Sequence, residues 1–262
     1  MTPDHTAMQL DAVTFEVPGK VLLHPLTLDI PPRGVTALIG QNGSGKSTLL
    51  KILARQQAPS NGRVSLAGRP LQAWGEREFA QRVAYLPQHT PLAIGLTVRE
   101  LVTLGRYPWH GALGQFTRTD RDKVEAALTL TAVNAFADRL VDTLSGGERQ
   151  RAWLAMLIAQ DARLLLLDEP ISALDVAHQI EVLDLIRRLA ADTDIAAVVV
   201  IHEINLAARF CDDIIALKGG RLIARGVPHE LMTVPRLQEI YDVTMGVMPH
   251  PDTGASIAFV RA

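Results

Sequence analysis

Val35-Thr-Ala-Leu-Ile-Gly-Gln-Asn-Gly-Ser-Gly-Lys-Ser47 decides the fold of this chain. Val35–Ile39 reads as a short apolar strand, and it runs directly into a glycine loop. Gly40, Gln41, Asn42, Gly43, Ser44, Gly45, Lys46 and Ser47 fit the phosphate-loop pattern G-x-x-x-x-G-K-[ST] at every position. Glycines let successive backbone N–H groups curl around phosphate oxygens, and the helix that follows adds its positive end. Lys46 is expected to reach the β- and γ-phosphates and the Ser47 hydroxyl to take Mg²⁺, with Thr48 ending the nucleotide-binding run. The competing reading is a plain glycine turn, which the complete strand, loop and helix order disfavours.

Outward from this loop, apolar strands alternate with helical stretches, which argues α/β with a largely parallel sheet. Met8–Val17 alternates like a half-buried strand, Pro31–Gly34 is a turn, and a helix is expected from about Gly45 to Arg55. Gly62–Leu66, Val83–Leu86, Leu164–Leu167 and Ile195–Ile201 read as further strands. Between them the character turns helical. Thr97-Val-Arg-Glu100 is a capping box opening a helix that ends at Gly105, and Thr119-Asp-Arg-Asp122 reads as another helix start. A Lys218–Arg221 hairpin and a short helical tail complete the chain. Residues 1–262 are expected to form a single domain, with a helical insertion at about 89–160.

Leu164–Leu167 delivers Asp168 and Glu169 at its C-terminal end, the edge where open α/β sheets bind ligands. Asp168 is expected to support the magnesium shell and Glu169 to orient or deprotonate the attacking water. Read alone, the pair could equally start a loop. His202 follows the strand Ile195–Ile201 and reaches the same kind of edge, where it could hold the γ-phosphate and the water in register. His5, His24, His89, His110, His178, His229 and His250 have no such position and read as ordinary surface or core residues. Gln88 opens the insertion after Pro87 and can meet both metal and water as a neutral donor and acceptor.

Leu144-Ser-Gly-Gly-Glu-Arg-Gln150 is a second glycine-rich element. Ser145 and Glu148 fit a capping box, but Gly146 and Gly147 are poor helix formers in the first turn. A helix end with a serine hydroxyl and no side-chain bulk suits an anion. The chain already has one phosphate loop, so this half-site is expected to serve a nucleotide held by a second copy. Ser172-Ala-Leu-Asp175 is another helix start, where Asp175 either caps or communicates across such a dimer.

Composition excludes other classes. The 262 residues are 48% hydrophobic and 21% charged, with a formal net charge of −2, so no basic field favours nucleic acid. Cys211 is the single cysteine and cannot form an internal disulfide. The start MTPDHTAMQLD has no charged segment followed by an apolar core, and no apolar run approaches the ~20 residues a bilayer needs. The chain is therefore expected to be soluble and cytoplasmic, reaching a membrane only by docking.

Taken in order, GQNGSGKS, Gln88, LSGGERQ, LLLLDEP, SALD and His202 resemble the ATP-binding subunits of ABC transporters over essentially the whole chain. The resemblance implies an ATPase with an N-terminal antiparallel β subdomain and Mg²⁺. It also implies a head-to-tail dimer with two ATP between the phosphate loop and the LSGGERQ signature, Leu144–Gln150, and membrane-embedded permease subunits docked on the helical insertion. Within the family the sequence is similar to importers of iron–siderophore complexes and vitamin B12, especially the ferric hydroxamate type. That likeness is carried by Gly105–Gly114, Val98–Leu101 and Arg139–Trp153. It implies a periplasmic siderophore-binding protein as an indirect partner, and a place at the cytoplasmic face of the bacterial inner membrane. Tyr107, Pro108 and Trp109 fall where the family docks its permease, with packing of the helical lobe as the alternative.

Val17 stands where many members stack an aromatic residue on adenine, with Phe15 two residues earlier. Ile171 replaces the usual threonine after Asp-Glu-Pro, and no regulatory C-terminal domain is expected. Another siderophore, haem or cobalamin is the alternative cargo. A non-transport ATPase of the same superfamily would carry coiled-coil insertions or tandem halves, and a P-loop kinase or GTPase would not need LSGGERQ.

Overall fold

A computed structural model describes residues 7–111, 114–172 and 174–261. His5, Ala112, Leu113 and Ala173 of the sequence reading lie outside them. The chain divides into two compact units, Met1–Leu71 with Ala196–Ala262, and Gln72–Ile195.

In the first unit, the strand Met8–Val17 pairs antiparallel with Lys20–Ile30 on one side and with Asn61–Leu66 on the other. This is the N-terminal antiparallel layer. Lys20–Ile30 is a strand that the sequence reading does not name, and His24 and Pro25 interrupt its alternation. Its inward residues Leu23, Leu26, Leu28 and Ile30 are nonetheless buried at alternate positions from Leu26 onward. The turn is made by Pro18-Gly19, with Gly19 at φ 78°, the left-handed conformation that glycine adopts without strain.

The strand Gly34–Ile39 lies between Asp213–Lys218 and Ala196–Val200, parallel to both. All five residues of Ala196–Val200 and Val35–Ile39 are buried, as continuous apolar strands in a parallel layer must be. Arg221–Gly226 returns antiparallel to Asp213–Lys218 through Gly219-Gly220, the expected hairpin. The helix Lys46–Leu53 follows the glycine loop and buries Leu49, Leu50, Ile52 and Leu53.

The expected helical tail is only part of the C-terminal segment. Two short helices, Pro228–Leu231 and Val234–Tyr241, are followed by an antiparallel hairpin of Met245–Pro249 with Ser256–Val260. Asp242 turns the chain out of the helix in a left-handed conformation (φ 58°, ψ 26°). Asn205 then fastens the hairpin by donating to Ala258 O (3.0 Å) and accepting from Ala258 N (2.7 Å).

In the second unit, Val83–Leu86 and Leu164–Leu167 pair in parallel. The helices Val98–Leu104, Arg118–Leu130 and Gly146–Ala159 pack on one another over Leu101, Val102, Val124, Leu128, Leu154 and Leu157. Burying each such side chain contributes about 1.5–3 kcal/mol. The Thr97 capping box is present as expected, with Glu100 N donating to Thr97 Oγ1 and Thr97 N to Glu100 Oε2.

The next helix start needs a correction. The cap is Thr117, not Thr119. Thr117 Oγ1 accepts from Asp120 N, Asp120 Oδ2 accepts from Thr117 N, and Asp120 Oδ1 takes Arg106 Nε at 2.8 Å. Arg106 and Asp120 are both buried, so the pair fixes which threonine caps. The long helix Val176–Asp192 closes the unit.

Candidate nucleotide site

The parallel register brings loops of the first unit to one edge. Leu38 pairs with Val200 and Ile39 with Ala216, so Gly40, His202 and Lys218 all leave the C-terminal ends of neighbouring strands. The glycine loop is wedged there. A Cβ on Gly40 (φ 138°) would lie 2.0 Å from Leu217 O, and one on Gly45 (φ 100°) would lie 2.5 Å from Leu23 Cδ2. Gly220 N donates to Ser44 O at 3.0 Å. At Gly40 the clash falls on backbone that cannot move, and at Gly45 it falls on the end of the Leu23 side chain, with the positive φ adding strain to any other residue.

Lys46 is buried in the loop, its ammonium donating to Gly40 O (2.8 Å) and Gln41 O (3.0 Å). Gln41, Asn42 and Gly43 are exposed at the rim, and Ser47 and Thr48 are half-buried in the first turn of the helix. Among the described residues the buried Ser44 hydroxyl has no hydrogen-bond partner, a polar atom a phosphate oxygen could satisfy. His202 lies exposed just past Ala196–Val200, one residue before Glu203. Glu203 caps the next helix by accepting from Asn205 N and Leu206 N.

The second unit brings Gln88 and the acids together. Val83–Leu86 and Leu164–Leu167 end in register, and Gln88 Nε2 donates to Glu169 Oε2 at 2.8 Å. Glu169 adopts φ 51°, a left-handed conformation that costs a non-glycine residue of order 1–3 kcal/mol. Its carbonyl is held by Ser172 N (3.3 Å) and Ser172 Oγ (3.2 Å). Asp168 is buried beside Tyr85. Burial first, and then the Asp168 charge, push the Tyr85 phenol up to about 12, so it stays protonated. A cleft of about 300 Å³ is lined by Gln88 and Glu169 together with Gly146, Arg149 and Gln150.

The signature segment forms the capping box read from its sequence. Glu148 N donates to Ser145 Oγ and Ser145 N to Glu148 Oε2. The Ser145 N–H lowers the Glu148 carboxyl, keeping it ionised at the helix start. Ser145 and Gly146 are exposed. Gly147 has a packing reason the sequence did not reveal, since a Cβ there would sit 3.2 Å from the His178 ring.

His178, read from sequence as an ordinary residue, belongs to this group. Its backbone N–H (3.0 Å) and ring Nδ1 (2.7 Å) both meet Asp175 Oδ1, and they lower the Asp175 carboxyl. The signal was there in the three-residue spacing after a capping aspartate. Arg151 and Glu181 tie the same two helices at 3.0 Å.

Tyr107 and Trp109 are exposed by 52% and 40%, with Pro108 half-buried between them. Their turn is held from several directions. Arg77 donates to Trp109 O, Gln81 to Pro108 O, and the Trp109 indole to Gln160 O at 2.6 Å under the Arg106 guanidinium.

The ABC transporter family profile matches residues 23–172 of this chain. The chain belongs to the ABC transporter family. As a family member it is an ATPase. It is 40% identical over 238 residues to the iron(3+)-hydroxamate import ATP-binding protein FhuC of Bacillus subtilis strain 168, covering 91% of this chain and 88% of that one. It is 39% identical over 257 residues to the ferric enterobactin transport ATP-binding protein FepC of Escherichia coli K12, covering 98% and 95%. It is 44% identical over 237 residues to the hemin import ATP-binding protein HmuV of Streptomyces coelicolor, covering 90% and 84%. Among solved structures it is similar to the ATP-binding cassette MJ0796, a dimer bound to ADP and Pi, with TM-score 0.74 and 27% identity over 84% of this chain and 98% of that one. Among the described residues of this ABC transporter chain, no helix is long and apolar enough to cross a membrane.

Proposed function

We propose that this chain is the ATP-hydrolysing subunit of an importer for iron chelates, with ferric hydroxamate siderophores as the cargo. The observation that carries the reading is a phosphate loop, a Gln88-held Glu169 and an open LSGGERQ helix start in one chain, together with near full-length likeness to iron-chelate import ATPases. The cargo does not touch such a subunit, so only kinship speaks to it. A haem chelate is the second reading, favoured by the 44% identity to a hemin import protein.

In this reading Lys46 exchanges its loop carbonyls for the β- and γ-phosphates, and Gly40–Thr48 cradle them. Glu169 orients or deprotonates the attacking water, and His202 holds the γ-phosphate. Ser47, Gln88 and Asp168 offer a hydroxyl, an amide carbonyl and a carboxylate, the oxygen-only donor set that suits Mg²⁺. When bound, Mg²⁺ neutralises phosphate charge. Ser145, Gly146, Gly147 and Glu148 meet the ATP of a second copy, as the dimeric relative's nucleotide-bound state supports. Asp175 links the two copies.

Tyr107, Pro108 and Trp109 dock a permease at the cytoplasmic face of the bacterial inner membrane, and a periplasmic siderophore-binding protein delivers the cargo. The test is ATP-dependent accumulation of a labelled ferric hydroxamate by vesicles carrying this chain with the permease encoded beside it. Uptake of haem instead would replace the cargo, and absence of ATP hydrolysis would remove the whole reading.

A further inference from the structure

The end of the helix Val234–Tyr241 reaches both loops assigned above to the nucleotide. Gln41, the second residue of the phosphate loop, donates through Nε2 to Tyr241 O at 2.7 Å and to Asp242 Oδ2 at 3.3 Å. Lys218, leaving the neighbouring strand, donates to Asp242 Oδ1 at 2.5 Å and to Glu239 O at 2.9 Å. The half-buried Tyr241 donates its hydroxyl to His202 O at 3.5 Å. One residue therefore holds Gln41 by its carbonyl and His202 by its hydroxyl.

The chemistry explains why these residue types are used. The last carbonyls of a helix lack partners within it, and Gln41 and Lys218 satisfy two of them. Asp242 sits in the left-handed cap, and its carboxylate there receives both Lys218 and Gln41. The hydrogen bond from Lys218 holds that carboxyl below its usual range, with Gln41 adding to it. Lys218 also offsets a negative charge that would otherwise stand beside a phosphate site. Burial, and then the Glu203 charge, raise the Tyr241 phenol, so it remains a donor.

We propose that Tyr241 and Asp242 form a positioning latch that sets the phosphate loop and His202 relative to each other during ATP turnover. The proposal rests on the reading of Gly40–Thr48 and His202 as nucleotide-contacting. Gln41 O also receives Lys46 Nζ, so the latch bears on the residue that carries the phosphate-binding lysine's resting contact. Tyr241 touches no reacting atom in this scheme.

The test is steady-state ATP hydrolysis by the chain in complex with its permease, for Tyr241→Phe, His202→Ala and the double variant. Tyr241→Phe removes one hydroxyl and keeps the ring. The expected result is a three- to tenfold fall in kcat with KM for ATP unchanged, and no further fall when it is added to His202→Ala. Asp242→Asn keeps a residue that tolerates the left-handed turn but removes the charge, and is expected to raise KM for ATP with kcat retained. Unchanged kcat in Tyr241→Phe, or a fall that multiplies with that of His202→Ala, overturns the latch. A fall in kcat matched by loss of folded protein in the thermal melt also overturns it, as does an unchanged KM in Asp242→Asn. If the wild-type complex hydrolyses no ATP, the nucleotide reading itself falls, and the latch with it. Wild-type hydrolysis with indifferent variants removes the latch alone.

Discussion

Replacing Asp120 by asparagine tests what holds the helical core under the Tyr107–Trp109 turn. Asp120 and Arg106 are 4% and 3% exposed, so solvent screens their pair little. One carboxylate oxygen takes Arg106 Nε at 2.8 Å, and the other takes Thr117 N at 2.9 Å and Thr117 Oγ1 at 2.6 Å. Burial alone would raise this carboxyl. The hydrogen bonds from Thr117 and then Arg106 outweigh it and hold Asp120 at about 2, against an ordinary 3.8. At ~1.4 kcal/mol per pKa unit, the depression is worth about 2 kcal/mol of folding stability.

Asparagine keeps the shape but leaves the buried guanidinium with Ala159 O in place of its carboxylate. Breaking a buried pair from one side costs about 3–5 kcal/mol, and the surviving bond sets the expectation near 3. Because the folded-state pKa is depressed, Asp120 contributes fully above about pH 4 and loses that contribution as pH falls towards 2. The gap between wild type and Asp120→Asn should therefore be flat from neutral pH to about 4, then narrow by about 2 kcal/mol. Urea unfolding at stepped pH, with amide exchange over Arg118–Leu130, measures both. A gap under about 0.5 kcal/mol at neutral pH, or one that does not narrow in acid, refutes the reasoning.

Three further outcomes are expected. Glu169→Gln should keep ATP binding and lose turnover by about 100-fold or more, accumulating an ATP-bound dimer on size-exclusion chromatography; normal turnover would remove Glu169 from catalysis. Gly40→Ala places a methyl 2.0 Å from Leu217 O and should abolish binding of a fluorescent ATP analogue, whereas retained affinity would mean the loop is not wedged. Tyr107→Ser should weaken co-purification with the permease while ATP binding stays intact. Tyr107 is a cleaner probe than Trp109, whose indole is committed to Gln160 O, and undiminished co-purification would leave Tyr107 without a docking role.

What was legible in the sequence is what local chemistry dictates. Val35–Ile39 had to be a buried strand because nothing in it is polar except Thr36, and Gly40 after it has a backbone neighbour only glycine tolerates. The Thr97 box and the Lys218–Arg221 hairpin were readable for the same reason. What escaped was settled at a distance. Thr117 and Thr119 each stand three residues before an aspartate, and both fit a capping box. Only the burial of Asp120 against Arg106 chooses between them. Tyr241 lies 200 residues from Gln41, with no pattern joining them. The Asn205 clamp on the C-terminal hairpin is invisible for the same reason.

Two glutamines, Gln41 and Gln88, show a common solution to one electrostatic difficulty. In the reading proposed above, a loop that receives phosphates and a carboxylate that acts on water both need to be held without adding charge. Gln41 spends its amide hydrogens on Tyr241 O and Asp242, leaving the loop neutral at that point. Gln88 donates to one oxygen of Glu169, which fixes the side chain while leaving its negative charge in place. A lysine at position 88 would cancel that charge, and a glutamate would repel it. The backbone supports the same assignment. Glycine at 169 would relieve the strain of φ 51° but would carry no carboxylate, so the strain is kept and offset by Ser172 on the carbonyl and Gln88 on the side chain. Strain held in place from two sides at the end of a buried strand fits the role proposed above for Glu169, and the Glu169→Gln turnover measurement decides it.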